Sequence, residues 1–214
     1  MSKYIIFIKK YFLIIFLMNI IINNEFVFAE KVNLIKIENY LNNISSLDAK
    51  IIQKNQNGNE IFGTIKLKKP GKIRIEYSNI NQDFDHLIVG NNGIIAIIDY
   101  NSNSEPLRYP ISGTPLKYLS EKKINLKTDE IKVKLKDYND YFDLEIKEIN
   151  PTIGLGIILL KFQKNPIKIL GWEIPINETQ STQILLDKTK INNKLDDNLF
   201  YISAEIMKYK NSRN

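Results

Sequence analysis

The 214-residue sequence contains no cysteine and only one histidine, His86. Without cysteine the chain can form no disulfide, no thiolate metal site, no thiol nucleophile and no lipidated N-terminal cysteine. A single imidazole also excludes every chemistry that needs two histidines. Apolar residues make up 43% of the chain and charged residues 25%, which is ordinary for a folded globular protein. These absences weaken most enzyme and metalloprotein interpretations before any motif is considered.

The N-terminal segment has the pattern of an export signal. Three lysines within the first ten residues precede a short apolar run over residues 11–22. Val27 and Ala29 then place small side chains at the third and first positions before a cleavage point. The apolar run is shorter than the ~20 residues that a membrane-spanning helix needs. We therefore predict a cleaved signal peptide over residues 1–29, with an uncleaved membrane anchor as the alternative.

The positive charge of the chain is mild. Its 30 lysines and arginines against 24 acidic residues give +6, and removal of residues 1–29, which hold three lysines and one glutamate, leaves +4. No basic cluster of the nucleic-acid-binding type is present, so we expect no nucleic-acid partner. The closest approach to a basic patch is the alternating Lys132, Lys134 and Lys136, which is either a solvated strand face or a surface for anionic lipid or an acidic partner.

Hydrophobic periodicity predicts a helix followed by one antiparallel sheet. Leu34, Ile37 and Leu41 recur at helical spacing and predict a helix over residues 30–43. After Ser46 the period changes to two, and the Pro70-Gly71 pair marks a tight turn between two alternating segments. We expect nine to eleven strands joined mostly by short turns, in a single domain over residues 30–214. The clearest predicted strands cover residues 61–68, 72–77, 86–89, 94–98, 131–136, 142–147, 156–163, 167–174 and 182–191.

The connection over residues 100–113 is an exception among these short turns. It leads into a helix-start signal, with Thr114 at the predicted N-cap and Pro115 at the first helical position. Leu116 and Leu119 then lie on one face of the predicted short helix. A long loop that carries an amphipathic helix is typical of a functional lid, although an ordinary surface excursion is the alternative.

A sheet with one apolar face must bury that face or leave it for a ligand. An ordinary packed core and a ligand cavity produce the same sequence pattern, so both interpretations stay open at this point. Trp172 is the only tryptophan, and it either packs in a core or lies at the mouth of a cavity. The candidate residues for the apolar face are Ile65, Leu67, Ile73, Ile75, Val133, Leu135, Phe142 and Leu144.

Motifs of catalysis and of metal binding are lacking. The chain has no Gly-x-Ser-x-Gly, no P-loop and no His-Glu-x-x-His. Asp83, Asp85 and His86 offer oxygen and nitrogen atoms to a cation, but we interpret them as a turn before the next strand. A carboxylate-pair hydrolase remains the enzymatic alternative. We expect a protein without catalysis, cofactor or metal.

Several motifs follow one another in the order that is typical of one protein family. The motifs are Ile44-Ser45-Ser46-Leu47 after the helix, Gly63-x-Ile65-x-Leu67-x-Lys69-Pro70-Gly71-Lys72-Ile73-Arg74-Ile75-x-Tyr77, Leu87-Ile88-Val89, a strand ending at Asp99, Thr114-Pro115-Leu116-x-x-Leu119, Gly171-Trp172, Gln180-x-Thr182-x-Ile184 and Asn198-Leu199-Phe200. The most specific of them is the Lys-Pro-Gly-Lys-Ile-Arg-Ile-x-Tyr segment. In this order they resemble the outer-membrane lipoprotein carrier family, LolA, over essentially the whole chain after the signal peptide.

The resemblance implies an incomplete antiparallel β-barrel, or half-barrel, whose concave apolar face lies under a helical lid and holds lipoprotein acyl chains. It implies a periplasmic, monomeric carrier that needs no cofactor. Its implied partners are acylated lipoproteins, an ATP-driven transporter of the inner membrane that releases them, and a receptor in the outer membrane. The alternative is a non-catalytic sensor of lipids or lipoproteins in the cell envelope with the same half-barrel fold.

Two positions depart from the family pattern. Family members often carry arginine directly before the proline, as a latch on the lid backbone, and this chain has Lys69 there. Lysine has rotatable point donors in place of a planar fork, so we expect a looser latch. The family also places aromatic residues where this chain has Ala96 and Ile98, which predicts a different pocket wall. Arg74 alternates to the other side of its strand and is expected to be a solvated outer-face residue.

Overall fold

The computed structural model of the protein describes residues 32–54, 58–78, 84–114, 116–151 and 155–213. The predicted signal peptide and Pro115 lie outside the described residues. By its internal contacts the chain divides into two compact units, residues 1–37 and residues 38–214. The described part of the first unit, residues 32–37, is helical. Among the described residues, no helix has the length and apolar character needed to cross a membrane.

The helices and strands follow the predicted order, with helix α1 over residues 32–43. Helix α2 is Lys117–Ser120 and helix α3 is Ile202–Asn211, and two 3-10 turns lie at Ile111–Gly113 and Asp197–Phe200. The strands are β1 Ser46–Lys54, β2 Glu60–Lys68, β3 Lys72–Ser78, β4 Phe84–Asn91, β5 Ile94–Asp99, β6 Leu107–Pro110, β7 Ile131–Asp137, β8 Tyr141–Glu148, β9 Ile157–Gln163, β10 Lys168–Pro175 and β11 Ser181–Ile191.

The eleven strands form one antiparallel sheet in the order β6-β5-β4-β3-β2-β1-β11-β10-β9-β8-β7. β6 and β7 are its two free edges, so the sheet does not close on itself, and the predicted open half-barrel is confirmed. The first and last strands pair in the middle of the sheet. The chain therefore runs outward to β6 and reaches the opposite edge at β7 through the connection over residues 111–130. This connection carries α2.

Strand β6 lies inside the segment that the sequence predicts to be a loop. It pairs with β5, with Leu107 opposite Ile97 and Pro110 opposite Ile94. All four of its residues are exposed. Proline cannot donate a ladder hydrogen bond and is confined to edge strands, which fits Pro110 in this position. The proline-rich composition therefore concealed a short edge strand.

Cross-strand pairs show which side chains share a face, because directly opposite residues point to the same side of a sheet. Ile65 is opposite Ile75, and Leu135 is opposite Leu144. An unbroken series of such pairs and alternating positions joins these two groups, so all eight predicted apolar residues share one face, the inner face. The connecting positions are Ala49, Gln53, Ile184, Trp172 and Leu160.

The opposite, outer face of β4 and β5 is covered by helix α3, which the sequence analysis did not predict. Ala96 and Ile98 lie on this outer face, so the expectation that they form part of the pocket wall is wrong. Their strand is apolar on both sides because Ile95 faces inward while Ala96 and Ile98 meet the helix. The outer-face cluster consists of Leu87, Val89, Ala96, Ile98 and Tyr209, with Tyr100, Ile202 and Ile206 packed against it.

Arg74 lies on the outer face as predicted, but it is not solvated. Its side chain is 12% exposed, and its Nε lies 2.6 Å from Glu76 Oε1. Its Nη1 lies 3.2 Å from Glu205 Oε1 in α3 and donates to the carbonyl oxygen of Leu199 at 3.0 Å. Burial acts to lower the pKa of Arg74, but the hydrogen bonds and charges of the two glutamates outweigh it and raise the pKa. The arginine thereby ties the C-terminal segment to the sheet.

We predict that Tyr209→Ala destabilises the protein far more than Met207→Ala on the same helix. Tyr209 is 3% exposed, and its hydroxyl donates to the carbonyl oxygens of Ser102 and Ser104, whereas Met207 is 65% exposed. Loss of the buried ring should lower the free energy of unfolding by about 3 kcal/mol, and the exposed control should change it by less than about 0.5 kcal/mol. Urea unfolding measures both, and equal effects would show that α3 does not pack on the sheet.

Candidate functional site

A small apolar cavity lies on the inner face, where the end of α1 and helix α2 cover the sheet. Its volume is about 10 Å³, which is room for about one water molecule. At this site the inner face is therefore filled by the protein's own side chains. The lining includes Leu41 and Ile44 at the end of α1, Leu119 of α2, and Ile65, Leu67 and Trp172 of the sheet.

The predicted apolar residues occupy this face in two groups. Ile65 and Leu67 line the cavity, and their cross-strand partners Ile75 and Ile73 are buried beside them. On the other half of the sheet, the predicted residues of β8 are buried and those of edge strand β7 are half-buried. This second group consists of Phe142 and Leu144 on β8 and of Val133 and Leu135 on β7.

Trp172 is enclosed in the cavity wall and is not at an exposed mouth. Its side chain is 2% exposed. On the inner face it lies between Ile184 of β11 and Leu160 of β9, which are its cross-strand partners. The large ring therefore forms part of the floor beneath α1 and α2.

The segment that follows α2 is joined to α1 through a side-chain amide. Asn42 accepts a hydrogen bond from the backbone N–H of Ile124 at 2.7 Å and donates to the carbonyl oxygen of the same residue at 2.9 Å. The N–H of Leu126 donates to Glu38 Oε2 at 2.9 Å. Ile124 and Leu126 are both buried. Residues 116–126, which we call the lid segment, are thus connected to α1 by three hydrogen bonds.

Helix α2 is held at both of its ends. The N–H of Gly71, in the turn between β2 and β3, donates to the carbonyl oxygen of Ser120 at 2.8 Å. At the other end, Lys117 Nζ lies 2.5 Å from Glu148 Oε1, and the Tyr118 hydroxyl donates to the same oxygen at 3.1 Å. Burial and then the charge of Glu148 raise the pKa of Tyr118, so its phenol remains a donor. Both predicted lid leucines of this segment, Leu116 and Leu119, are buried.

The predicted start of this helix is wrong. α2 begins at Lys117, and its N-cap position, Leu116, provides no side-chain hydrogen bond. The Thr114 hydroxyl donates instead to the carbonyl oxygen of Ile111 at 2.9 Å and closes the preceding 3-10 turn. Thr114 thus bonds within its own 3-10 turn, and the N-cap position of α2 is Leu116.

Lys69 is the charged residue of the cavity lining, and it reaches the C-terminal end of α1. Its Nζ donates to the carbonyl oxygen of Leu41 at 2.8 Å, and its backbone N–H donates to the carbonyl oxygen of Ser45 at 2.8 Å. Carbonyls of the last helical turn lack partners within the helix and carry partial negative charge, so a cation is favourable there. Burial lowers the pKa of Lys69 to about 8, against the opposing charge of Glu121. Its side chain thus bonds to α1, whereas the predicted latch concerned the backbone of the lid helix, so the latch role of Lys69 stays a prediction.

Asp85, His86 and Asp99 form the group among the described residues whose ligand atoms are close enough to share a cation. The two carboxylates approach different ring nitrogens, with Asp85 3.2 Å from Nδ1 and Asp99 3.5 Å from Nε2. One ligand atom from each of the three side chains lies within 4.8 Å of the other two. Asp83 lies outside the described residues.

The comparisons with known proteins concern the family and the fold. The family model "Outer membrane lipoprotein carrier protein LolA" matches residues 42–203 of the chain. No curated protein matches the chain. Similar solved structures include the LolA superfamily protein NE2245 from Nitrosomonas europaea, with 11% identity over 74% of this chain and 90% of that chain and a TM-score of 0.42. Another is an uncharacterized conserved protein from Thermus thermophilus, with 10% identity over 80% of this chain and 92% of that chain and a TM-score of 0.48.

We predict that Lys69 makes the stability of the protein rise between about pH 8 and pH 10.5. Its pKa is about 8 in the folded protein against 10.5 for an ordinary lysine, so the unfolded chain binds more protons in this range. The free energy of unfolding then increases with pH. Lys69→Met should remove this contribution and give a smaller slope than the wild type. Urea unfolding across the range measures it, and identical slopes in the two proteins would contradict the prediction.

Proposed function

Because this chain belongs to the LolA family, we propose that it is a carrier that binds the acyl chains of lipoproteins and delivers them to the outer membrane. The observation that carries the proposal is the largely apolar inner face beneath the end of α1 and the lid segment. The end of α1 and the lid segment, which are both short, cover the apolar residues of this face. A ligand with long apolar chains is the chemistry that such a face accepts once the cover moves.

Loading requires displacement of the cover, because the closed cavity has a volume of only about 10 Å³. Burial of a methylene group stabilises by about 0.8 kcal/mol, so a sixteen-carbon chain gains roughly 12 kcal/mol. Opening exposes Leu41, Ile44 and Leu119, each at a cost of about 1.5–3 kcal/mol. The acyl chain thus replaces the protein's own side chains as the partner of the inner face. Because these side chains must first be exposed, the acyl chain binds more weakly than its own burial would allow, and the cargo is released more easily.

The contacts that hold the cover are also individually modest. They include the Lys69–Leu41, Gly71–Ser120 and Asn42–Ile124 hydrogen bonds and the group around Glu148. A typical intramolecular hydrogen bond contributes about 0.5–1.5 kcal/mol net. A few such bonds are small beside the roughly 12 kcal/mol that one acyl chain gains when it leaves water, so they hold the cover only weakly.

The remaining parts of the proposal concern location and partners. We infer export to the periplasm by the predicted signal peptide, receipt of lipoproteins from an ATP-driven inner-membrane transporter, and delivery to an outer-membrane receptor. A bilayer offers acyl chains the same apolar burial as the carrier, so loading needs an energy source and delivery needs a stronger binder. We propose a monomer that works without cofactor or catalysis. The cavity lining favours this, since its one charged residue is Lys69 and it has no carboxylate.

We predict that the protein, produced from the full-length sequence, releases outer-membrane lipoproteins from spheroplasts into a soluble complex. The apolar inner face should shield the acyl chains and keep the lipoproteins in solution. Immunoblots of the supernatant and co-purification with the protein measure the release. If folded protein released no more lipoprotein than buffer alone, the carrier proposal would fail.

We predict that Lys69→Leu still accepts lipoprotein cargo but alters its transfer to outer-membrane vesicles. The change removes the donor that holds the Leu41 carbonyl while the apolar inner face remains. Lys69→Arg is the matched control, because it keeps a cationic donor and should transfer at a rate close to that of the wild type. Loading and transfer are measured separately on the same samples. Unchanged transfer in Lys69→Leu would show that this residue is not a latch.

A further inference from the structure

The indole N–H of Trp172 is a buried hydrogen-bond donor without an acceptor. The side chain is 2% exposed, and nothing among the described residues accepts a hydrogen bond from its Nε1. Indole nitrogen can donate but cannot accept, and a buried tryptophan normally finds a partner for this group. An unpaired buried donor is unfavourable for the folded protein, so the unpaired indole N–H on the inner face of the sheet calls for an explanation.

The surroundings of Trp172 leave this donor without a side-chain acceptor. Its cross-strand neighbours on the inner face are Ile184 and Leu160. The other residues around the cavity are aliphatic, apart from Lys69, whose ammonium group has three N–H donors and no acceptor. The structure shows one bond from that ammonium group, to the carbonyl of Leu41. The lining of the cavity thus includes two donor-bearing side chains, those of Trp172 and Lys69, and no side-chain acceptor.

We propose that the indole N–H of Trp172 binds the ester or amide carbonyl oxygen at the head of an acyl chain. The inference rests on the proposed function and names the part of the cargo that is recognised. An acyl chain is apolar along its length and carries a neutral acceptor, the carbonyl oxygen, at one end. When its methylene groups replace the cover on the inner face, that oxygen supplies the acceptor that Trp172 lacks. The site then distinguishes acyl chains from alkyl chains of the same length.

Ligands that differ only in the carbonyl test this inference. The probes are a synthetic lipopeptide with two ester-linked sixteen-carbon chains and its dialkyl ether analogue. The wild type should bind the ester about 2- to 10-fold more tightly than the ether, as expected for one hydrogen bond. Trp172→Phe keeps an aromatic ring but removes the donor, so it should bind the two ligands with equal affinity. A diacyl phosphatidylglycerol, compared with its ether form, tells whether any diacylglycerol ester is recognised or only that of the lipopeptide.

The single tryptophan provides a second readout that needs no variant. Trp172 is the only tryptophan in the chain, so all indole emission comes from this position. The ester ligand should shift the emission of the wild type to longer wavelength than the ether ligand does, because the indole N–H becomes hydrogen-bonded. Equal affinities and equal emission for ester and ether would overturn the inference while leaving the carrier proposal intact. Failure of both ligands to bind would overturn the carrier proposal itself.

Discussion

An open sheet that is apolar on its inner side must cover that side with its own chain, and most of this structure follows from that requirement. Because β6 and β7 each have a free outer edge and do not pair with each other, the sheet of the described residues does not close over the inner face. The connection between these two edges is the lid-bearing segment, and Leu119 in it meets the residues of the inner face around the cavity. The same connection that joins the two open edges of the sheet therefore also provides its cover.

The two faces of the sheet are covered in different ways. On the outer face, α3 adds a cluster of buried apolar residues and a largely buried ion pair between Arg74 and Glu205. Removal of one partner from such a pair leaves a buried charge, which is strongly unfavourable. On the inner face, the cover is attached by single hydrogen bonds and by the half-buried Lys69. The outer cover is thus held by a buried ion pair, and the inner cover is the part that the proposed cargo would replace.

The sequence predicted most features that depend on local period and missed those that depend on distant neighbours. Alternation over two residues is local, so the strands and the shared face of residues such as Ile65 and Leu144 were predicted. Helix α3 was missed although Ile202, Ile206 and Tyr209 recur at helical spacing, which is a local signal. Only its packing against the outer face of β5 depends on distant neighbours. Which side chains fill the inner face, and whether a buried donor finds an acceptor, depend on packing between distant residues. Neither the filled cavity nor the unpaired indole N–H of Trp172 was therefore visible in the sequence.

The hydroxyl of Tyr209 holds the carbonyl oxygens of Ser102 and Ser104, just before the edge strand from which the lid connection departs. Tyr209 belongs to the outer cover, while the chain beyond β6 belongs to the inner one. The C-terminal helix α3 therefore fixes the chain just before the edge strand from which the connection to the lid segment begins. Under the proposed function, displacement of the lid segment would leave this edge of the sheet in place, because Tyr209 fixes the chain just before β6.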